Sequence, residues 1–458
     1  MNILERLFGI NKKAERLDGR SFQLQYINNV LTIFPTDRQG AMKLGFKGNS
    51  TVYSIITKCA SKFATIPWYV YKVKNGQRVK QYTSATQQYN FSPTTLRLKS
   101  QAFDEVTNDN DPAVKLWNQP NDWQTGASFR ELALIYKLIY GGVPIYADMG
   151  VSKTKVQQYM CLPPNFTNIY PDESLMQIER AELQVTGMKV DIPKEQLLFW
   201  VTQDPDFKSD GSHLYGLSPL KALSRALSAD NNNLEVQDFL FQHKGATGIF
   251  TPKDSEATRA IQSGPDAVDG LRVSLDQLLD RKGNSTKRPF INAPLDYHTF
   301  GMDANELQTI ESHQLLKEDF CNAFDFPALL MMTKSSTDNN YNHSIKYLVT
   351  NTIYGAMVSY RDYMNKWLWP LAGLDNYYAD FDISELPEMQ EEVKALADWM
   401  MKTWVITPNE VRQALKYDAL EIPSFNEPWV PGSLMPVSQA ANMDSINLPN
   451  TGDYGGNP

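Results

Sequence analysis

The sequence predicts an α+β fold, with long amphipathic helices around a block of short strands. Three observations carry this. Apolar residues recur at helical spacing near 50–66, 128–140, 218–242, 265–280, 303–325 and 344–368. Between 143 and 202 the pattern changes to short apolar runs broken by turns. Across 458 residues, 42% are apolar, with 21 Phe, 22 Tyr and 9 Trp, enough for a core of more than one domain.

In chain order, residues 1–48 are mixed and end in a glycine-containing polar stretch. A helix follows, capped by Asn49 or Ser50, with Val52, Ile55, Ile56, Cys59 and Phe63 on one face and a stop before Pro67. Trp68 to Val73 reads as a strand, and Asn75-Gly76 as a hairpin turn into Gln77–Tyr82. Residues 84–112 are polar and without period, which predicts a long loop. Ser128 with Glu131 reads as a capping box opening a helix that Gly141-Gly142 closes. Strands are expected at 143–149, 156–162, 183–185, 188–192 and 197–201, with Thr186-Gly187 as a turn.

Ser218-Pro219 should start a helix reaching about 242, with the Asn231–Asn233 run as a possible break. A short strand at 246–251 precedes helices at 265–280 and 303–325, with a compact segment, 281–302, between them. Thr333 to Asn342 reads as a polar loop, Ser344 to about Leu368 as a long helix, and 377–383 as a strand. Helices at 388–403 and 408–416 follow; Thr407, Pro408 and Glu410 make a capping box for the second. Residues 430–458 are rich in Pro, Gly, Ser and Asn and should be mobile.

Charge and cysteine content narrow the function. The formal charge is −8, a poor match to tight phosphate binding, though it permits a protein that surrounds nucleic acid without gripping it. Cys59, Cys161 and Cys321 are far apart and odd in number, so no disulfide framework is expected and a reducing compartment is favoured. The start lacks a signal-peptide layout, and no window is apolar enough for a membrane span.

Chemistry is thin. Gly216-Leu217-Ser218-Pro219-Leu220 lacks the last glycine of a nucleophile elbow, and Pro219 suits a helix start. No phosphate-binding loop of the Gly-x4-Gly-Lys-Ser/Thr type occurs. His213, His243, His298, His313 and His343 show no zinc spacing. Asp204, Asp206 and Asp210 fit no calcium loop. Arg281, Lys282, Lys287 and Arg288 either contact phosphates or line a solvated turn. No catalysis, metal or cofactor is expected. A cytosolic hydrolase using Ser218 and a histidine is the enzyme alternative.

The order of the patterned blocks resembles the portal proteins of tailed bacteriophages, of the lambdoid type. The matching blocks are Asp111–Asn121 with Phe129 and Gly141-Gly142; Leu162-Pro-Pro164; Tyr215-Gly-Leu-Ser-Pro-Leu220; Phe326-Pro-Ala-Leu-Leu330; and Thr407-Pro-Asn-Glu-Val-Arg412. Asp325 stands where the family has Gly, and Ala328 where it has a second Pro. The resemblance implies a ring, usually of twelve copies, at one capsid vertex, for genome packaging, retention and ejection. It implies a wing (49–264), two stem helices (265–280 and 303–325), a clip (281–302) carrying the four basic residues, and a crown (386–425). Residues 1–48 would precede the wing, 326–385 would hold the tunnel loop, long helix and return to the wing, and 426–458 would form a tail. The tunnel loop would contain Lys334, Ser335, Ser336, Thr337, Asp338, Asn339, Asn340 and Tyr341. Implied partners are other copies, the major capsid protein, the large terminase subunit, a neck or head-completion adaptor and double-stranded DNA. The implied location is the virion, with the host cytoplasm during assembly. A minor capsid or neck protein is the other virion reading.

Overall fold

The computed structural model describes residues 24–27, 30–33, 40–150, 155–185, 188–209, 211–242, 248–253, 295–299, 309–331, 338–402, 406–415, 417–430 and 435–436. The first described elements are a two-stranded ribbon, β1 (Leu24–Ile27) and β2 (Val30–Ile33), and a π-helical turn, Ala41–Phe46. Helix α1 (Ser50–Thr65) follows, capped by Asn49, whose Oδ1 accepts from the N–H groups of Thr51 and Val52. Val52, Ile55, Ile56, Cys59 and Phe63 are all buried, as their spacing predicts.

After β3 (Trp68–Val73) the structure departs from the expected hairpin. Asn75 accepts from Gln77 N–H and Arg78 N–H and so caps helix α2 (Gly76–Ala85). The same Asn-Gly pair serves turn or cap, and burial of Tyr82 on the helix decides for the cap. The expected loop at 84–112 contains helix α3 (Pro93–Ala102), opened by a Ser92/Thr95 capping box, then β4 (Phe103–Glu105), which pairs with β3. A capping box built on Thr rather than Glu explains why the helix was missed. Helix α4 (Pro112–Asn118) is capped by Asp111, and α5 (Gly126–Tyr140) by Thr125 rather than Ser128, whose N–H donates to Thr125 Oγ1.

The strand block is β5 (Gly142–Asp148), β6 (Gln158–Cys161), β7 (Thr167–Pro171), β8 (Ile178–Val185), β9 (Met188–Pro193) and β10 (Leu197–Val201). Strand β8 starts five residues earlier than expected, because its polar first half pairs with β7. Next come α6 (Pro219–Ala222) and α7 (Ser224–Gln242), which runs unbroken through Asn231–Asn233. Strands β11 (Gly248–Pro252) and β12 (Leu295–Thr299) pair antiparallel, so part of the expected 281–302 segment is a strand. The helix at 265–280 lies outside the described residues.

Helix α8 is described from Thr309 to Ala323. Helix α9 (Asp338–Tyr347) begins inside the expected polar loop, so Asp338 to Tyr341 are its first turn. A π-helical turn, Leu348–Ile353, joins it to α10 (Tyr354–Ala372). Strand β13 (Tyr377–Phe381), α11 (Gln390–Lys402) and α12 (Pro408–Ala414) follow, the last with the expected Thr407/Glu410 capping box. Within 430–458, Met435-Pro436 pairs with Trp429-Val430.

The chain forms two compact units. The larger takes residues 1–17, 56–218 and 325–458. Among the described residues it holds three antiparallel three-stranded sheets, ordered β13-β3-β4, β10-β5-β6 and β7-β8-β9. Its centre is aromatic: Tyr360 packs edge-on against Trp68 at 5.4 Å and Trp200 at 5.1 Å, and Phe63 stacks on Trp200 at 6.1 Å. The smaller unit takes residues 18–55 and 219–324, where α7 packs against α8.

Candidate functional site

The residues of the recurring blocks are spent on structure. Asp111 caps α4 and also accepts from Tyr377 Oη at 2.9 Å. Asn121 is buried; its Oδ1 accepts from Trp123 and Gln124 N–H, and its amide donates to Tyr159 C=O. Gly141 and Gly216 meet: both carry φ of +86°, and a Cβ on Gly216 would stand 2.7 Å from Gly141 O and 2.4 Å from Val201 Cγ2. Only glycine fits such a crossing. Asn409 donates to Leu420 C=O and accepts from Leu420 N–H, pinning the segment after α12.

The enzyme alternative finds its two groups apart in their bonding. Ser218 Oγ donates to Leu138 C=O at 2.9 Å. His213 packs on Phe207, and its Nδ1 accepts from Lys208 N–H. His313 pairs with Asp230 across α7 and α8, with Nδ1 2.5 Å from Oδ1. Asp230 is fully buried, and its second oxygen accepts from Asn49 at 2.6 Å. Asp204 forms a local turn, accepting from Asp206 N–H. Among the described residues no three His, Cys, Asp or Glu side chains are placed to hold a metal ion. Among the same residues no helix is long and apolar enough to cross a membrane.

The expected tunnel-loop residues divide. Lys334 to Thr337 lie outside the described residues, as do Arg281, Lys282, Lys287 and Arg288. Asp338, Asn339, Asn340 and Tyr341 open α9, where Asn340 and Tyr341 are exposed. Both flanks of the 332–337 stretch are anchored. On the entry side, Lys58 of α1 donates to Leu330 C=O at 2.7 Å. Asp325 sits in the left-handed region, φ +50°, which explains the family's glycine there. Its carboxylate accepts from Tyr347 Oη at 3.0 Å, and its carbonyl from Thr352 Oγ1. On the exit side, Lys346 of α9 pairs with Glu392 of α11 at 2.5 Å, and Tyr89 donates to the other Glu392 oxygen. Lys62 pairs with Glu388 at 2.7 Å just before α11. Burial first, then the Glu392 bond, holds the Tyr89 hydroxyl far above its ordinary range. The sequence reading missed Tyr89, Lys346 and Glu392, because Glu392 lies 46 residues from Lys346 and 303 from Tyr89, beyond the reach of any local pattern. Asp325 left one signal, a departure from the family's glycine.

In this arrangement of anchored loops and glycine crossings, the polar groups of the motif blocks are engaged in structure. The phage portal protein family profile matches residues 50–415, and the chain belongs to that family. It is similar in structure to the neck of an empty gene transfer agent particle, with 17% identity over 84% of this chain and 95% of that one, and a TM-score of 0.59. The native particle neck, computed with C12 symmetry, matches at 16% identity, the same coverages and a TM-score of 0.57. The virion of the native particle matches at 17% identity, again with those coverages, and a TM-score of 0.58. No curated protein sequence matches the chain.

Proposed function

We propose that twelve copies of this chain close into a ring at one capsid vertex and guide double-stranded DNA through its centre. Family membership over residues 50–415 carries the reading. Likeness to a particle neck computed with C12 symmetry supports the copy number. In this reading α7 and α8 are the two stem helices, since they pack on each other and bracket the residues between 243 and 308. That moves the first stem helix from the expected 265–280 to 224–242. The bracketed segment, with Arg281, Lys282, Lys287 and Arg288, becomes the clip on which the large terminase subunit docks, and later a neck adaptor. The major capsid protein surrounds the ring. The protein works in the virion, and in the host cytoplasm during assembly.

The mechanism is physical. Duplex DNA carries about one charge per 1.7 Å, so a lumen rich in lysine would hold the duplex instead of passing it. Thr333 to Asn342 contains one lysine, one aspartate and otherwise neutral polar side chains, which lets a phosphate backbone slide. Replacing Asn339 and Asn340 by Lys should slow packaging severalfold in a reconstituted motor assay. Unchanged packaging would remove this segment from the channel. An end-on image by negative-stain microscopy tests the ring itself; a persistent monomer would favour another virion component.

A further inference from the structure

Helices α9 and α10 are separated by a π turn, Leu348–Ile353. A π turn bonds each N–H one residue further back than an α turn, so it stores one extra residue; such turns are rare and concentrate at functional sites. The two helices are held very differently. In α10, Tyr360, Arg361, Met364 and Leu368 are buried to 1% exposure or less. In α9, Asn340, Tyr341, Asn342 and His343 all face solvent, and Ser344 is its one buried side chain among those described. Its hold comes from the last turn, where Lys346 reaches Glu392 and Tyr347 reaches Asp325. Glu392 is in turn fixed by Tyr89, which packs edge-on at 5.7 Å against Tyr354, the first residue of α10. The anchor for α9, on α11, is therefore tied through Tyr89 to the buried helix α10.

We propose that Glu392 is a positioning residue that selects the register of α9. Rewinding the π turn as α-helix shifts α9 by one residue against α10, about 1.5 Å along the axis and about 100° around it. The shift carries Lys346 away from Glu392, so the ion pair holds one register and excludes the other. Register decides which faces of residues 340–343 point outward. The inference rests on the channel reading only for its consequence, namely that this face meets the passing duplex.

Hydrogen–deuterium exchange on the purified full chain tests it. In Glu392→Ala, amides of 340–350 should exchange roughly fivefold faster, the scale set by losing a half-exposed ion pair, while those of 357–368 stay unchanged. Deleting the exposed Asn351 removes the stored residue and should give the same acceleration. Adding Glu392→Ala to the deletion should then change nothing further. An additive effect, or unchanged exchange in Glu392→Ala, overturns the proposal. If the deletion does not fold, charge reversal decides. Lys346→Glu and Glu392→Lys should each accelerate exchange, and the double swap should restore slow exchange; failure to restore it overturns the proposal. A negative packaging result alongside a positive exchange result would reject the channel reading and leave the register device standing.

Discussion

Two carboxylates in the larger unit have the same kind of partners and opposite surroundings. Asp380 accepts from Tyr82 Oη at 2.6 Å and faces Arg361 at 3.5 Å and Lys99 at 3.8 Å. Glu392 accepts from Tyr89 and faces Lys346. The Asp380 and Arg361 side chains are 1% and 0% exposed, whereas Glu392 and Lys346 are 31% and 32% exposed. Tyr82 and Tyr89 lie seven residues apart, and Thr86 between them accepts from Arg361 at Oγ1 and from Tyr354 at its carbonyl. One short segment thus touches both networks. In the buried one a missing partner strands a charge away from water; in the exposed one water replaces it. The first can only brace β13 against α2, α3 and α10. The second can let go.

The sharpest way to break this comparison is Asp380→Ala. It should cost about 3–5 kcal/mol in urea unfolding, because Arg361 would keep only the more exposed Asp362 carboxylate at 2.9 Å, and Tyr82 Oη would lose its buried acceptor. A loss similar to that of the exposed pair would erase the distinction. A smaller effect concerns Lys137, which lies 4.2 Å over the Trp200 ring and which burial pulls down to about 8. Its folded value is below its unfolded one, so the unfolded chain binds more protons between the two. Stability should therefore rise from about pH 8 towards pH 10, below the tyrosine range. Lys137→Met should flatten that rise in unfolding midpoints taken across the window. The smallest effect should come from Glu392→Ala, at or below about 1 kcal/mol in global stability, despite the fast exchange predicted for α9. A large global loss there would make Glu392 a brace like Asp380.

Local rules reach some of these elements and miss others. The α1 stripe, the five blocks of the portal family and the Thr407 capping box were legible because periodicity, turn residues and caps act over a few positions. Asn75-Gly76 was misread because hairpin and helix cap demand the same residues, and only the burial of Tyr82 separates them. The early start of α9 was hidden for a related reason. Its first turn, Asp338-Asn-Asn-Tyr341, is as polar as a loop, and contacts at its far end hold it.

By itself the sequence determined the class of the protein: α+β, acidic and portal-like. Its evidence was composition, spacing and motif order, all of which survive without coordinates. Only the tertiary structure decided that Gly141 backs on Gly216, that Asp230 meets His313 and Asn49, and that Glu392 holds Lys346. Those pairings join residues 46 to 181 positions apart. Their energies depend on burial, and burial exists only once the chain has closed on itself.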